Sequence, residues 1–256
     1  MNQASFIAKA APPASLNSSR LIRFLTDLAV TEVEVSHERF AERIGRLIDF
    51  SESIILSGAH GELNNLAFEK TTDSIADINE LFLSGRVAMV QFIVASCVQV
   101  NCKTRIKFPV LDVGGAQDPE GEFDAEVAYQ AYYRFYALQQ RDMDTKIQHL
   151  RLQIRDSATG CSPRLARLAV LDTALADTLH VHTRRFFSII PKLMEKRFRY
   201  LVSQQIDSDP QYWTDTNGWV TQFCREMRGL LLAELDIRLQ PLLGLIEAFN
   251  EEVKVN

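Results

Sequence analysis

The stretch Ala125–Asp156, AEVAYQAYYRFYALQQRDMDTKIQHLRLQIRD, repeats apolar and aromatic residues at alternating steps of four and three. Such steps average 3.5 residues and keep one stripe of a helix turned toward a partner helix. Tyr129, Tyr136, Met143 and Leu150 alternate with Tyr133, Gln140, Ile147 and Ile154, and Gln140 is the one polar member. A second stretch, Pro163–Ile206, continues the pattern with Leu165, Leu179, Phe186, Leu193 and Tyr200 interleaved with Leu168, Leu175 and Ile189. Asp172, His182 and Lys196 fall on the same stripe as polar exceptions. Between the stretches lies Ser157–Ser162, where Gly160 suits a helix end with positive φ, Ser162 an N-cap, and Pro163 a first helical position. The pattern predicts a long antiparallel coiled-coil-like hairpin.

Working outward, the 256-residue chain is 46% hydrophobic and 24% charged with a net charge of −5, values of an ordinary globular protein. Its length supports a sizeable core without disulfides or metals. The global charge gives no sign of nucleic-acid binding. Cys97, Cys102, Cys161 and Cys224 form no CxxC pair, and residues 1–16 lack a continuous apolar run, so the expectation is reduced thiols in the cytoplasm and no secretory signal. Val87–Val100 is the most apolar segment, but its 14 residues include Gln91, Ser96 and Gln99, which predicts a buried helix and no transmembrane segment.

The expected class is all-α, an elongated helical bundle. Residues 1–16 read as a disordered tail and residues 17–105 as an N-terminal helical bundle. In that bundle Asn17-Ser18-Ser19 caps a helix with Leu21, Ile22, Leu25 and Leu28, and Ser36 caps another that runs through Phe40, Ile44, Leu47, Ile48, Ile54 and Ile55 to about Leu56. Ser57–Gly61 reads as a breaker, and a third helix is expected over Asp73–Val100 with Gly85 as an interruption. Residues 106–124, rich in Gly, Pro and acidic residues, read as a linker, and residues 125–256 as the hairpin plus a C-terminal helix. Pro191 and Pro241 should each break a helix, because proline removes a backbone donor and crowds the preceding turn.

Chemistry-bearing patterns are sparse. Asp118, Glu120, Glu122, Asp124 and Glu126 alternate, but a calcium loop beginning at Asp118 would need Gly and Glu where Phe123 and Tyr129 stand. His180 and His182, two residues apart, point to different sides of a helix and cannot share a metal. Phosphate loops, dinucleotide fingerprints, nucleophile elbows and zinc-protease helices leave spaced Gly, Ser or His signatures that this chain lacks, so no catalytic residue, metal ligand or cofactor is expected. The aromatic run Tyr129, Tyr132, Tyr133, Phe135 and Tyr136 suits base stacking or core packing, and its seam register favours the core. Pro163–Ile206 has eight basic residues against three acidic, a net of +5, whereas Asp207–Asn256 carries −5. Arg185, Lys192, Lys196 and Arg199 share one helix face and form the candidate interaction face, while Asp172 and His182 are candidate register-setting residues.

Four ordered blocks carry a resemblance: Asn17-Ser18-Ser19-Arg20-Leu21; Phe40-Ala41-Glu42-Arg43-Ile44-Gly45 through Asp49-Phe50; Ser162-Pro163-Arg164-Leu165-Ala166-Arg167-Leu168; and Pro191 through Arg197-Phe198. Together they resemble a proteobacterial family known as domain of unknown function 3348. The resemblance implies genomic neighbours similar to ion-driven motor or stator subunits and to peptidoglycan-binding domains, in sets like motor-type anti-phage defence systems. On that footing the chain would be a soluble accessory subunit of a membrane motor-type complex.

The expected function is therefore a non-enzymatic interaction or scaffold protein, homo-oligomeric, with a protein partner. The alternatives are a nucleic-acid-binding accessory protein using the same basic face, and an enzyme with a dispersed site.

Overall fold

Helix α4, Ala125–Thr159, is the spine against which most of the other helices pack. Its 35 residues span about 52 Å. Asp124 starts it by accepting hydrogen bonds from the amides of Glu126 and Val127 at 2.8 and 3.2 Å. A computed structural model describes residues 20–28, 50–64, 66, 68–69, 75–97, 105–117, 120, 122–205, 209–216 and 218–255. The expected tail 1–16, the cap at 17–19, and the stretch with Ser36, Phe40, Ile44, Leu47 and Ile48 lie outside the described residues.

The fold is all-α: α1 (Arg20–Asp27), α2 (Phe50–Asn64), α3 (Ile75–Ser96), α4, α5 (Pro163–Phe187), α6 (Ile189–Ser203), α7 (Trp219–Arg238) and α8 (Gln240–Val255). A single 3-10 turn, Pro210–Tyr212, and one isolated bridge, Gln117 with Phe123, complete the regular structure among the described residues.

The chain reverses between α4 and α5 at the expected place, with the Ser162 side chain capping the amide of Leu165 at 3.2 Å. Gly160, however, has φ −83°, not the positive value expected. The reversal is closed by the Cys161 amide on the Ala158 carbonyl at 3.2 Å, a right-handed turn that needs no left-handed residue. The predicted second arm is divided at Ser188 into α5 and α6, and both pack on α4. Around that bend the buried stripe is Phe187, Ile190, Met194 and Leu201, each one residue along from the expected position, with Phe198 two along from Lys196. Phe186, Ile189 and Tyr200 are exposed accordingly, as is Leu175 earlier in the arm. On α4 the expected seam is buried at Tyr129, Tyr136, Met143, Ile147, Leu150 and Ile154, whereas Tyr133 is at the surface.

Two expected interruptions are absent. Helix α2 runs through Ser57–Gly61, because Gly58 and Gly61 break no backbone hydrogen bond and cost about 1 kcal/mol each in helix propensity. Helix α3 likewise runs through Gly85, where a Cβ would lie 3.1 Å from a Leu150 methyl. Gly85 thus marks where α3 approaches α4 closely. Pro241 does separate two helices, α7 ending at Arg238 and α8 starting at Gln240.

The core crosses the expected boundary between residues 17–105 and 125–256. Leu21, Leu25 and Leu28 of α1, Ile78, Phe82, Met89 and Ile93 of α3, and residues of α4, α6, α7 and α8 form one hydrophobic cluster. The Asp236 carboxylate on α7 binds Arg20 of α1 at 3.1 Å and Arg86 of α3 at 3.0 Å. The connecting segment contributes to it too: Phe108, Leu111 and Ala116 are buried, and the Phe108 ring meets Tyr132 and Phe135 edge-on at 5.6 and 4.8 Å. Ile78–Ser96 is long and apolar enough by length and composition to cross a membrane, and Ile78, Phe82, Met89 and Ile93 within it belong to this core.

Candidate functional site

Two surface features and one buried network gather the polar chemistry of the molecule. The first is a groove of about 470 Å³ between the start of α4 and α6, lined by Gln130, Tyr133, Lys192, Glu195, Lys196 and Arg199. Three of the four residues expected to form the basic face therefore do share one groove. Arg185 is exposed on α5, before the Ser188 bend, and does not line it. Arg199 is engaged by Glu126 at 2.8 Å and Glu195 at 2.7 Å, and these hydrogen bonds hold its guanidinium charge above the ordinary range. No carboxylate among the described residues forms an ion pair with Lys192 or Lys196, and both lysines are exposed. Tyr200, also exposed, has the Arg197 guanidinium 5.4 Å from its ring, while Arg197 itself is held by Glu226 at 2.7 Å.

The second feature is a cavity of about 560 Å³ where α4, α5 and the α7–α8 corner meet. Its walls are mostly apolar, with Ile147, Leu175, Leu179, Phe187 and Ile237 among them. Asp172, a candidate register-setting residue, stands at its edge and joins α5 to α4. Its carboxylate accepts from Arg155 at 2.7 Å and lies 3.7 Å from Arg151, one turn earlier on α4. The Asp172 carbonyl accepts a further bond from Arg155 at 2.9 Å. His182, the other candidate, does not join the two arms. Its Nε2 lies 3.1 Å from Glu52 and so links α5 to α2. Arg151 is 8% exposed, and its Nε has no hydrogen-bond partner. Burial pushes this guanidinium below its ordinary range, with Asp172 opposing the shift.

Behind the cavity is a network that the heptad reading passed over. Glu234 on α7 is fully buried and accepts from Tyr136 at 3.0 Å, from the Gln140 amide at 3.0 Å, and from Arg238 at 2.8 Å. Burial raises the Glu234 carboxyl above the ordinary range, against the pull of Arg238, Gln140 and Tyr136. Arg238 continues to Asp144 at 3.3 Å and lies 4.0 Å from the centre of the Phe187 ring. The sequence does carry a signal for it: Glu234 interrupts the apolar run Leu230-Leu231-Leu232-Ala233-Glu234-Leu235, with Arg238 one turn on.

Of the aromatic run, Tyr129, Tyr132, Phe135 and Tyr136 are in the core, and the Tyr129 hydroxyl donates to the Pro191 carbonyl of α6. Burial raises the tyrosine hydroxyls at 129, 132 and 136 and pushes the Cys224 thiol up to about 12. Among the described residues no group of three His, Cys, Asp or Glu side chains is placed to hold a metal ion.

Over residues 7–251 the chain matches the family described as "Protein of unknown function (DUF3348)", and it belongs to that family. No curated protein and no solved structure matches it.

Proposed function

We propose that this member of the 3348 family is a non-enzymatic interaction protein, which docks an acidic segment of a partner protein in the groove between α4 and α6. The observation that carries the reading is the pair of exposed ammonium groups, Lys192 and Lys196, which pair with no carboxylate among the described residues and are set beside the exposed ring of Tyr133 in a chain of net charge −5. Neighbouring cations, Arg197 and Arg199, are already held by carboxylates of the same chain, so the lysines are the groups left for an external anion. Tyrosine beside cationic side chains is a composition that protein interfaces favour, and opposite charge accelerates encounter. The genomic company implied by the family resemblance makes a membrane motor-type complex, in an anti-phage defence setting, the first place to seek the partner, and the cytoplasm the expected compartment.

The test is affinity capture with cross-linking from native cells, comparing the unaltered chain with the double substitution Lys192→Glu/Lys196→Glu. A protein recovered by the first, cross-linked to the groove, and lost with the second supports the reading. Equal recovery by both removes it. Strongly salt-dependent binding of single-stranded DNA, abolished by the same substitutions, would assign the groove to nucleic acid instead.

A further inference from the structure

We infer that the cavity between α4, α5 and the α7–α8 corner is a binding site for a small amphipathic organic anion, a carboxylate on an aliphatic or aromatic body. Its volume, about 560 Å³, is in the range of small-molecule sites, and such sites combine mostly apolar walls with a few convergent polar groups. Ile147, Leu175, Leu179, Phe187 and Ile237 supply the apolar walls.

The charge left over selects the sign of the ligand. Arg151, Arg184 and Arg238 line the cavity against Asp144 and Asp172. Arg238 is matched by Glu234 and Asp144, and Asp172 is taken at 2.7 Å by Arg155, which lies outside the lining. Arg151 is left with Asp172 at 3.7 Å, too long for a hydrogen bond, and with an Nε that donates to nothing. An arginine this deeply buried loses hydration that only an anion or a strong acceptor restores. Burial already disfavours its charged form, so a ligand carboxylate would relieve an existing cost. A cation would meet the arginines unfavourably, and a wholly apolar ligand would leave the Arg151 guanidinium with no anion closer than Asp172 at 3.7 Å.

Dodecanoate is the probe and dodecan-1-ol its uncharged counterpart of equal chain length, both titrated calorimetrically against the full chain below micelle-forming concentrations. Saturable binding of dodecanoate is expected, with the alcohol weaker by about tenfold or more, the value of one charge-assisted hydrogen bond. Arg151→Met should bring dodecanoate down to the affinity of the alcohol, and Ala176→Phe, which grows into the cavity, should weaken both. Lys192→Glu/Lys196→Glu should change neither, since those lysines line the other groove. Equal affinity for the two probes, no saturable binding, or dodecanoate binding lost only with the lysine substitutions would overturn the assignment. The acid-against-alcohol comparison needs no substitution, so it decides the matter even where Arg151→Met does not fold.

Discussion

Glu234 and Gln139 are both completely buried polar side chains, and their surroundings differ in kind. Around Glu234 every nearby donor is turned to the carboxylate: the Tyr136 hydroxyl, the Gln140 amide and the Arg238 guanidinium. Removing one member of such a buried charged set costs roughly 3–5 kcal/mol, because the remaining charges stay in the interior unpaired. Gln139 is adjacent to Gln140 in sequence but about 100° around the helix, away from that network. Neither its Nε2 nor its Oε1 has a hydrogen-bond partner. An unpaired buried amide costs about 1–3 kcal/mol, and an apolar side chain of similar volume avoids that cost. Gln139→Leu is therefore expected to stabilise the protein by on the order of 1 kcal/mol, seen as a melting temperature raised by a few degrees. An unchanged or lower melting temperature would mean that the amide is satisfied in solution.

At the scale of elements, the bend at Ser188 is explained by a proline three residues downstream. Pro191 has no amide hydrogen, so the Phe187 carbonyl, four residues earlier, loses its α-helical donor. The Gln140 side chain on α4 takes that place, donating to the Phe187 carbonyl at 2.9 Å, and the Pro191 carbonyl in turn receives the Tyr129 hydroxyl. Gln140→Leu should destabilise the protein by about 1–3 kcal/mol by orphaning that carbonyl and weakening the Glu234 set. In a Pro191→Ala background the restored amide of residue 191 can reach the Phe187 carbonyl, so the cost of Gln140→Leu should shrink. Denaturant unfolding of the four proteins in this double-mutant cycle measures the difference, expected on the order of 1 kcal/mol; strict additivity would show that Gln140 does not serve the bend. The same bend limits what the sequence revealed. The all-α class, the chain reversal near Ser157–Ser162 and the breaks near Pro191 and Pro241 were legible, since they follow from local periodicity and backbone chemistry. The stripe after Ser188 was not, because a count of 3.5 residues carried through a proline bend arrives one residue early, at Ile189, Leu193 and Tyr200 instead of Ile190, Met194 and Leu201. Grouping of Lys192, Lys196 and Arg199 was legible because they share a single helix, whereas the cavity at Arg151 assembles from four helices distant in sequence.

At the scale of the molecule, the question is whether the helices before residue 106 and the helices after residue 124 are separable units. Charge and glycine content mark residues 106–124 as a boundary, but burial joins the two sides. Phe82, Met89 and Ile93 of α3 and Phe108 of the connecting segment belong to the same hydrophobic cluster as Tyr132, Phe135 and Leu150 of α4. Leu21 and Leu25 of α1, buried against the same cluster, belong to a helix that packs on α7. Burying one such side chain fully contributes roughly 1.5–3 kcal/mol, and net stabilities of whole domains are only about 5–15 kcal/mol. A fragment of residues 125–256 would expose the faces of α4 and α7 that these side chains cover, a loss comparable to the whole stability of a domain. The full chain is accordingly expected to unfold in one cooperative thermal transition, with coincident far- and near-ultraviolet circular dichroism. The isolated fragment should keep helical far-ultraviolet signal while losing the near-ultraviolet signal of its packed tyrosines and tryptophans, and should bind a hydrophobic dye. Two resolved transitions in the full chain, or a fragment that melts cooperatively by itself, would establish instead that the boundary read from composition divides two autonomous domains.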